Sequence, residues 1–457
     1  MRARGFISSL VVVVFALATW CNARAISLKE AVELGLKKRA TVQEAVYQHQ
    51  AAKEKVREAR SAFFPSLDLG YTISRTRVKG SFNVGDYGDQ FGASSSEEEG
   101  NTPSTGNPTS DFTVNYDETE TTSAFSVMAQ YNLFRGFGDL NALKAAKFAA
   151  QASREMLNAR KADVIYAVRL AYFNALEARS FMNVAEKAVE MLKQQLSDTR
   201  VMYKVGMVTR NDLLEVKVEL ASAVQKEISA KARYQKALDS LKRTVGLPLT
   251  DKITLKEETL TPVDVNDYQR LRNLLLHRRS ELRYYRKMIL SMQKGVEAQK
   301  AQFLPRVDLK FSYNKLGEDA FMEGRDNGVS SITSGMVAMR FNLFRGERDY
   351  ARVRHARFKE LALEEEYQEA QQEMLLQLDH AIKDYRVAED RLKVARDALA
   401  QAKEYHRTTR VQVKSGLKTT RDMLDARYYL TRAQYQERLA YYGLQKAMAT
   451  ILRIIEE

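Results

Sequence analysis

Four short segments of the chain alternate between apolar and polar residues. They are residues 66–74, 125–133, 307–314 and 337–343. In the first, the apolar positions are Leu67, Leu69, Tyr71 and Ile73. Alternation with a period of two predicts a strand that has one apolar face. Strands of about 10 residues can cross a bilayer when they are tilted, and aromatic residues near their ends suit the membrane interface.

Helical patterns fill most of the remaining chain. A long pattern follows the second and the fourth strand, and each long pattern is followed, after a break that contains Gly, by a shorter one. We predict these four helices at residues 139–201, 211–245, 347–410 and 420–455. Amphipathic helices of such length typically pack side by side as coiled coils.

Each pair of strands is preceded by a further predicted helix. The first spans residues 28–62, with Ser27 as its N-cap and Glu30 completing a capping box. The second spans residues 266–302. The motif that ends each of these helices carries a proline, Pro65 or Pro305. We expect each helix to be continuous.

This order of elements occurs twice. The hexapeptide YNLFRG at residues 131–136 returns as FNLFRG at residues 341–346, an offset of 210. The Gly206 break has its partner at Gly416 with the same offset, whereas Phe63 pairs with Phe303 at an offset of 240. A fixed long period indicates an internal duplication. We predict a first repeat at residues 26–249, a linker at 250–267 and a second repeat at 268–457.

The predicted strands impose a condition on assembly. Four strands cannot close a barrel, and an open sheet edge is not tolerated in lipid. The sequence therefore favours several chains that share one barrel, with the helices extending the channel as a tube. The alternative is two small soluble hairpins on a helical coiled coil, which would make the protein a structural or adhesive component of the cell envelope.

Residues 1–25 match a secretory signal peptide, with a basic start, a short apolar run and a small-x-small cleavage site at Ala23 and Ala25. The chain has one cysteine, Cys21, and it lies inside this segment. Lipid attachment at Cys21 is an alternative, although the bulky Trp20 does not suit such processing. The predicted mature chain has no cysteine for disulfide or thiolate chemistry.

Charge is unevenly distributed along the chain. The formal net charge is +14, and its basic surplus lies on the long helices among glutamates, as expected of solvated faces. Residues 80–134 contain no Lys or Arg but nine acidic residues, and we predict an acidic loop at residues 80–121. The role of this loop stays open. An exported chain is not expected to bind nucleic acid.

Taken together, these motifs resemble the TolC-type outer-membrane efflux and secretion channels. The resemblance rests on LKEA at residues 28–31, Arg60-x-x-Phe63-x-Pro65, NLFRG at residues 132–136, both Gly breaks and the duplication. It implies an α+β, mostly α-helical chain that trimerises into a twelve-stranded outer-membrane β-barrel, with four strands per chain. A long periplasmic α-helical coiled-coil barrel would continue it.

The resemblance also implies a function. Such a protein is the passive exit duct of a tripartite efflux pump or a type I secretion system in the outer membrane. Its partners are a periplasmic adaptor and an inner-membrane pump of the RND, ABC or MFS type. The cargo and the class of pump stay open.

Gate residues follow from the same resemblance. The acids matching Asp422 and Asp425 ring the periplasmic entrance in the family, and the residue matching Lys418 tethers the closed state near the position of Asp212. Asp212 and Glu215 share one helix face, as do Asp422 and Asp425. The family's tethering tyrosine is Val413 here, so the latch must differ. The alternative is that the acids only stabilise helix N-termini and that Lys418 is an ordinary turn residue.

The Gly breaks would also form the periplasmic end that contacts the adaptor. The candidate contact residues are Val205, Gly206, Met207, Val208, Val413, Gly416 and Leu417. The five histidines are scattered without metal-ligand spacing, and no nucleophile, acid–base or cofactor motif is present. We therefore predict a protein that is not an enzyme and that carries no metal or cofactor.

Overall fold

The computed structural model describes residues 24–83, 113–321 and 330–457. Most of the predicted signal peptide, including Cys21, lies outside the described residues. The same holds for residues 84–112, which contain most of the predicted acidic loop.

Six strands and eight α-helices are present in the described ranges. The strands are β1 (Arg24–Ile26), β2 (Ser66–Asn83), β3 (Thr113–Arg135), β4 (Ile253–Leu255), β5 (Arg306–Gly317) and β6 (Ser331–Arg340). The helices are α1 (Leu28–Lys38), α2 (Ala40–Ser61), α3 (Gly138–Lys204), α4 (Arg210–Val245), α5 (Tyr268–Arg278), α6 (Ser280–Lys300), α7 (Arg348–Lys414) and α8 (Thr420–Ile455). A short 3₁₀ turn, Ala301–Phe303, follows α6.

The elements repeat with the offsets seen in the sequence. Helices α3 and α7 both have 67 residues, and α4 and α8 both have 36. The two helices of each pair begin 210 residues apart. Helices α1 and α5 have 11 residues each and begin 240 residues apart. The structure therefore confirms the predicted duplication.

The prediction of one continuous helix before each strand pair is wrong. Both helices break at equivalent residues, Arg39 and Arg279, which take extended ψ angles of 126° and 116°. In the second repeat a distant side chain caps the new helix start. The backbone N–H and the hydroxyl of Ser280 donate to the Glu456 carboxylate at 2.9 and 2.7 Å. Helix periodicity cannot reveal this break because the stabilising contact comes from the far end of the chain.

Strands β2, β3, β5 and β6 form an antiparallel sheet in that order. Strands β2 and β3 extend beyond the predicted 66–74 and 125–133, into the segment predicted as loop. Here polar pairs across the strands replace the apolar alternation. Arg77 donates to Asp117 at 2.7 and 2.6 Å, and Lys79 lies 3.2 Å from the same carboxylate. Ion pairs of this kind stabilise a hairpin without producing a hydrophobic signal.

The last strand ends earlier than predicted, at Arg340 rather than residue 343. Arg340 pairs with Arg306, and the residue before Arg306 is Pro305, which has no N–H to donate. Pairing between β5 and β6 therefore ends at Arg340. The apolar alternation continues through residues 341–343, but these residues form no strand pairing with β5.

One face of the sheet is apolar and open to its surroundings in the single chain. Leu69 is 70% exposed, and its neighbours on alternate positions of β2 are similarly exposed. They are Leu67, Tyr71 and Ile73. A continuous apolar surface of this kind indicates contact with lipid or with another protein.

The chain divides into two compact units. One comprises Arg57–Leu143 and Val296–Val353 and contains the four-stranded sheet. The other comprises Met1–Val56, Lys144–Gly295 and Arg354–Glu457, and within it the main core surrounds Tyr172, Phe173 and Leu176 of α3. A parallel pair of β1 and β4 that the sequence did not predict lies against this core. The Tyr172 hydroxyl donates to the Lys256 carbonyl at 2.6 Å.

Polar contacts align α3 with α8 in this second unit. The Tyr166 hydroxyl forms a hydrogen bond with the Thr450 hydroxyl at 3.1 Å, and the Ser180 hydroxyl forms one with the Tyr442 hydroxyl, also at 3.1 Å. The Lys446 ammonium nitrogen lies 2.6 Å from the Glu177 carboxylate. Further along, Arg427 donates to the Met191 carbonyl at 2.6 Å. Residue numbers rise on α3 as they fall on α8, so the two helices run antiparallel in a defined register. We call these contacts the α3–α8 ladder.

Within the described ranges, no helix combines the length and the apolar character that crossing a bilayer requires.

Candidate functional site

The candidate gate and adaptor residues lie in two equivalent turns and in the adjoining helix ends. The first turn, residues 205–209, joins α3 to α4, and the second, residues 415–419, joins α7 to α8. Gly206 and Gly416 have φ angles of +79° and +72°, which a residue with a side chain adopts only at a cost. This requirement explains why both repeats keep Gly here.

Each turn closes its preceding helix with the same hydrogen bonds. Gly206 N–H donates to the Tyr203 carbonyl and Met207 N–H to that of Met202, at 3.1 and 2.9 Å. The second turn repeats both bonds from Gly416 and Leu417. This pair of bonds is the Schellman motif, in which a left-handed residue ends the helix.

Capping boxes begin the following helices. The Asp212 carboxylate accepts from Thr209 N–H at 2.8 Å, and the Asp422 carboxylate accepts from Thr419 N–H at 2.9 Å. In return, each threonine hydroxyl accepts from the aspartate N–H at 3.2 Å. Asp212 and Asp422 therefore have the helix-capping role that the sequence left as the alternative. This role occupies one carboxylate oxygen of each aspartate.

The cap also affects titration. Hydrogen bonds from the Thr419 side chain and backbone lower the pKa of Asp422, and Lys418 lowers it further. Asp422 is therefore held as an anion in the single chain. Asp425, one turn further along α8, is exposed, and Glu215 on α4 is half-buried.

Lys418 lies against an aromatic ring that the sequence did not single out. Its ammonium nitrogen is 5.3 Å from the centroid of Tyr405 on α7, within the range of a cation–π contact. A tyrosine therefore holds the predicted tether residue, although not the one at the family's usual position. No hydrogen bond or ion pair between Lys418 and Asp212 is present among the described residues.

The predicted adaptor-contact residues are largely open at the surface. Met207 and Leu417 are 72% and 77% exposed, and Val205 is also exposed. Gly206 and Gly416 are exposed, whereas Val208 and Val413 are half-buried. Large apolar side chains at such exposure suit contact with another protein.

Sequence reasoning missed a buried arginine near the second turn. Arg427 of α8 is 7% exposed and lies one helical turn after Met423 and one before Leu430, both of them buried. This spacing places Arg427 on the core-facing side of α8. Helix periodicity could therefore have identified Arg427, because it is a charged residue at a position where the helical pattern expects an apolar one. Among the described residues, no cluster of His, Cys, Asp and Glu is arranged to hold a metal ion.

The chain is similar to known proteins over nearly its whole length. The sequence model of the outer membrane efflux protein family matches residues 31–247 and 271–455. The alkaline protease secretion protein AprF of Pseudomonas aeruginosa is 23% identical over 442 residues, which cover 94% of this chain and 84% of AprF. The outer membrane protein TolC of Escherichia coli is 22% identical over 426 residues, covering 88% of this chain and 78% of TolC.

Solved structures show the same fold. The outer membrane channel CmeC of Campylobacter jejuni superposes with a TM-score of 0.74 at 17% sequence identity. The match covers 94% of this chain and 85% of CmeC.

Proposed function

Since the chain belongs to the outer membrane efflux protein family, we infer that it is the outer-membrane exit duct of an efflux pump or a type I secretion system. The family match over both repeats carries this conclusion. The protein is located in the outer membrane with a periplasmic portion, and it works with a periplasmic adaptor and an inner-membrane pump. The members of this family are channels, and we propose that this chain has no catalytic activity.

Three copies of the chain would form the duct. The four antiparallel strands leave two unpaired edges, β2 and β6, which lipid does not tolerate. Joining β6 of one copy to β2 of the next would remove both edges. Three copies supply twelve strands, and the exposed apolar face around Leu69 would then meet the lipid.

The helices support the same ring. Within one chain, α3 packs against α8 through the α3–α8 ladder. The duplication makes α7 the counterpart of α3 and α4 the counterpart of α8, and both leave large apolar side chains exposed. Examples are Val387 and Val394 on α7, and Val218 and Ile228 on α4. Contact between α7 of one copy and α4 of the next would cover them, and such a head-to-tail interface closes into a ring.

The gate is placed at the second turn in this proposal. Three chains would bring six carboxylates, from Asp422 and Asp425, towards one axis. Crowded carboxylates attract cations, so the constriction would favour cation passage. Lys418 would tether the closed state near Asp212 and Glu215 of the neighbouring turn. The exposed apolar residues of both turns would contact the adaptor.

The decisive measurement is single-channel conductance of the purified protein in planar bilayers. We expect small, cation-selective steps from the wild type. The double variant Asp422→Ala/Asp425→Ala should lose most of that selectivity, because the ring of negative charge is gone. If the double variant conducts with unchanged cation selectivity, the protein is still a duct, but Asp422 and Asp425 are not its gate residues.

A matched variant separates the gate from the capping box. Thr419→Ala removes the hydroxyl of the cap but leaves both carboxylates in place, so it should keep the cation selectivity. If the protein neither trimerises nor inserts into membranes, the duct is rejected and the envelope coiled coil becomes the better explanation.

A further inference from the structure

A cleft of about 410 Å³ opens between α3, α7 and α8, a short distance before the second turn. Its walls are partly apolar, from three methionines and two valines, and partly basic. The apolar lining residues are Met191, Val201, Met202, Val413 and Met423. The basic lining residues are His406, Arg410, Lys414 and Arg427. Among the described residues that line the cleft, Asp198 alone is acidic.

Arg427 is buried and forms no ion pair within the described part of the chain. Its guanidinium donates to the Met191 carbonyl at 2.6 Å and approaches the Gln195 side-chain oxygen at 3.4 Å. Its Nε is buried and has no hydrogen-bond partner among the described residues. Burying a cation is costly unless it is paired or fully hydrogen-bonded. Arg427 therefore lacks a group that its position calls for.

Other buried arginines of the chain show how such a charge is normally satisfied. Arg453, 8% exposed, lies 2.6 Å from both Asp163 and Glu281 and 3.6 Å from Glu456. Arg279, equally buried, lies 3.0 Å from Glu281. Arg279 Nε and Arg453 Nη1 also lack a hydrogen-bond partner among the described residues, so an unpartnered nitrogen does not distinguish Arg427. The difference is that Arg427, at a comparable burial, forms no ion pair with a carboxylate of the described residues.

Several cationic groups crowd one another in the cleft. Asp198 accepts a hydrogen bond from Gln194 at 2.9 Å, and no ion pair of Asp198 with an arginine is formed in the described structure. Burial and then Arg410 lower the pKa of Arg427 to about 10, although Asp198 acts in the opposite direction. Burial, followed by Arg427 and Arg410, lowers the pKa of His406. An anion in the cleft would relieve this repulsion.

The duplication shows that basic residues at most of these positions are common to both repeats, whereas the burial of Arg427 is not. The positions equivalent to His406 and Arg427 in the first repeat are Leu196 and Lys217, and Lys217 is exposed. The counterpart of Arg410 is Arg200, which is also exposed. Lys204 likewise corresponds to Lys414, so the second repeat differs from the first by its buried arginine and by His406.

We propose that this cleft binds an organic anion, a carboxylate attached to an apolar body. The carboxylate pairs with Arg410 and Arg427, for which planar two-oxygen anions are suited. The apolar body lies against the methionines, which adapt readily to ligands of different shape. Binding at this site can be measured without any measurement of conductance.

Calorimetric titration of the purified full-length mature protein tests the proposal. The probe is 1-naphthoate, with the uncharged 1-naphthamide as its matched control, each corrected against detergent alone. We expect one saturable naphthoate site per chain and at least about tenfold weaker binding of the amide, because it lacks the charge-assisted hydrogen bonds. Equal affinity for both compounds would show apolar partitioning only and overturn the proposal.

Two variants locate the site. Arg410→Gln removes an exposed cation that lines the cleft, so the variant should fold and bind naphthoate about tenfold more weakly. Arg200→Gln removes the equivalent charge from the first repeat and should leave the affinity unchanged. If Arg410→Gln has no effect, or if both variants weaken binding equally, no anion site exists at this cleft. Arg427→Met, where it folds, should abolish binding.

Discussion

Single charged residues hold distant parts of the helical unit together. Arg453 of α8 contacts Asp163 on α3 and Glu281 on α6, and Arg279, at the break between α5 and α6, donates to the Arg453 carbonyl at 2.7 Å. In the sequence these residues are among many charged residues of the helices, and such residues usually lie on a solvent-exposed face. Their burial depends on contacts between segments more than a hundred residues apart, which periodicity does not encode.

The pH dependence of stability should report this cluster. Burial raises the pKa of Glu281, but Arg279 and Arg453 outweigh it, so the pKa is lowered from the ordinary 4.5. A lowered pKa means that Glu281 stabilises the fold above about pH 4.5 and that this contribution is lost as the pH falls through the folded-state pKa. We expect Glu281→Gln to unfold more easily at neutral pH, by about 3 kcal/mol.

Denaturant unfolding at a series of pH values measures this effect. The curves of wild type and Glu281→Gln should converge in acid, because the wild-type carboxylate is then protonated. A stability difference that stays constant across the pH range would contradict the assignment. Asp379→Asn, which alters an exposed pair with Lys383 on α7, is the matched control and should change little.

At the scale of elements, local signals located the helix ends better than the strand ends. The predicted bounds of α8 agree with the structure, and Thr419 with Asp422 supplies a complete capping box at its start. The capping box at Ser27 was likewise predicted and is confirmed. The breaks at Arg39 and Arg279 and the outer halves of β2 and β3 were missed. The break at Arg279 is stabilised by the distant cap from Glu456, and the outer halves of the strands carry cross-strand ion pairs, neither of which a local pattern contains.

The same capping box yields a prediction for the second turn. Thr419→Ala should destabilise the first turn of α8 by about 1 kcal/mol, since Asp422 N–H loses its acceptor. Amide hydrogen exchange at residues 420–424 should accelerate about fivefold, while exchange near Thr209 in the first turn stays as it was. Ser415→Ala removes a hydroxyl that donates to the Val411 and Gln412 carbonyls at the end of α7, so it serves as the control. Exchange that accelerates equally in both variants would argue against a specific role for the cap.

At the scale of the whole molecule, assembly in lipid depends on the apolar face of the sheet. Leu69→Arg places a charge on that face and should reduce insertion, because a cation facing lipid near the bilayer midplane costs about 2 to 4 kcal/mol. The measurement is the amount of heat-modifiable trimer in outer-membrane fractions. Thr72→Arg, on the opposite face of the same strand, should be tolerated. Equal losses for both variants would mean that the face around Leu69 does not meet lipid.

The equal lengths of the repeated helices limit how this molecule can change in evolution or by design. The α3–α8 ladder joins residues at fixed depths, so deleting seven residues from α3 alone would displace every later partner by about 10 Å. The end of α3 would then no longer lie beside the end of α7, with which it lines the cleft. A shorter version of the protein, suited to a narrower cell envelope, would need matched deletions in α3, α4, α7 and α8. Insertions and deletions in these helices should therefore occur in sets of four.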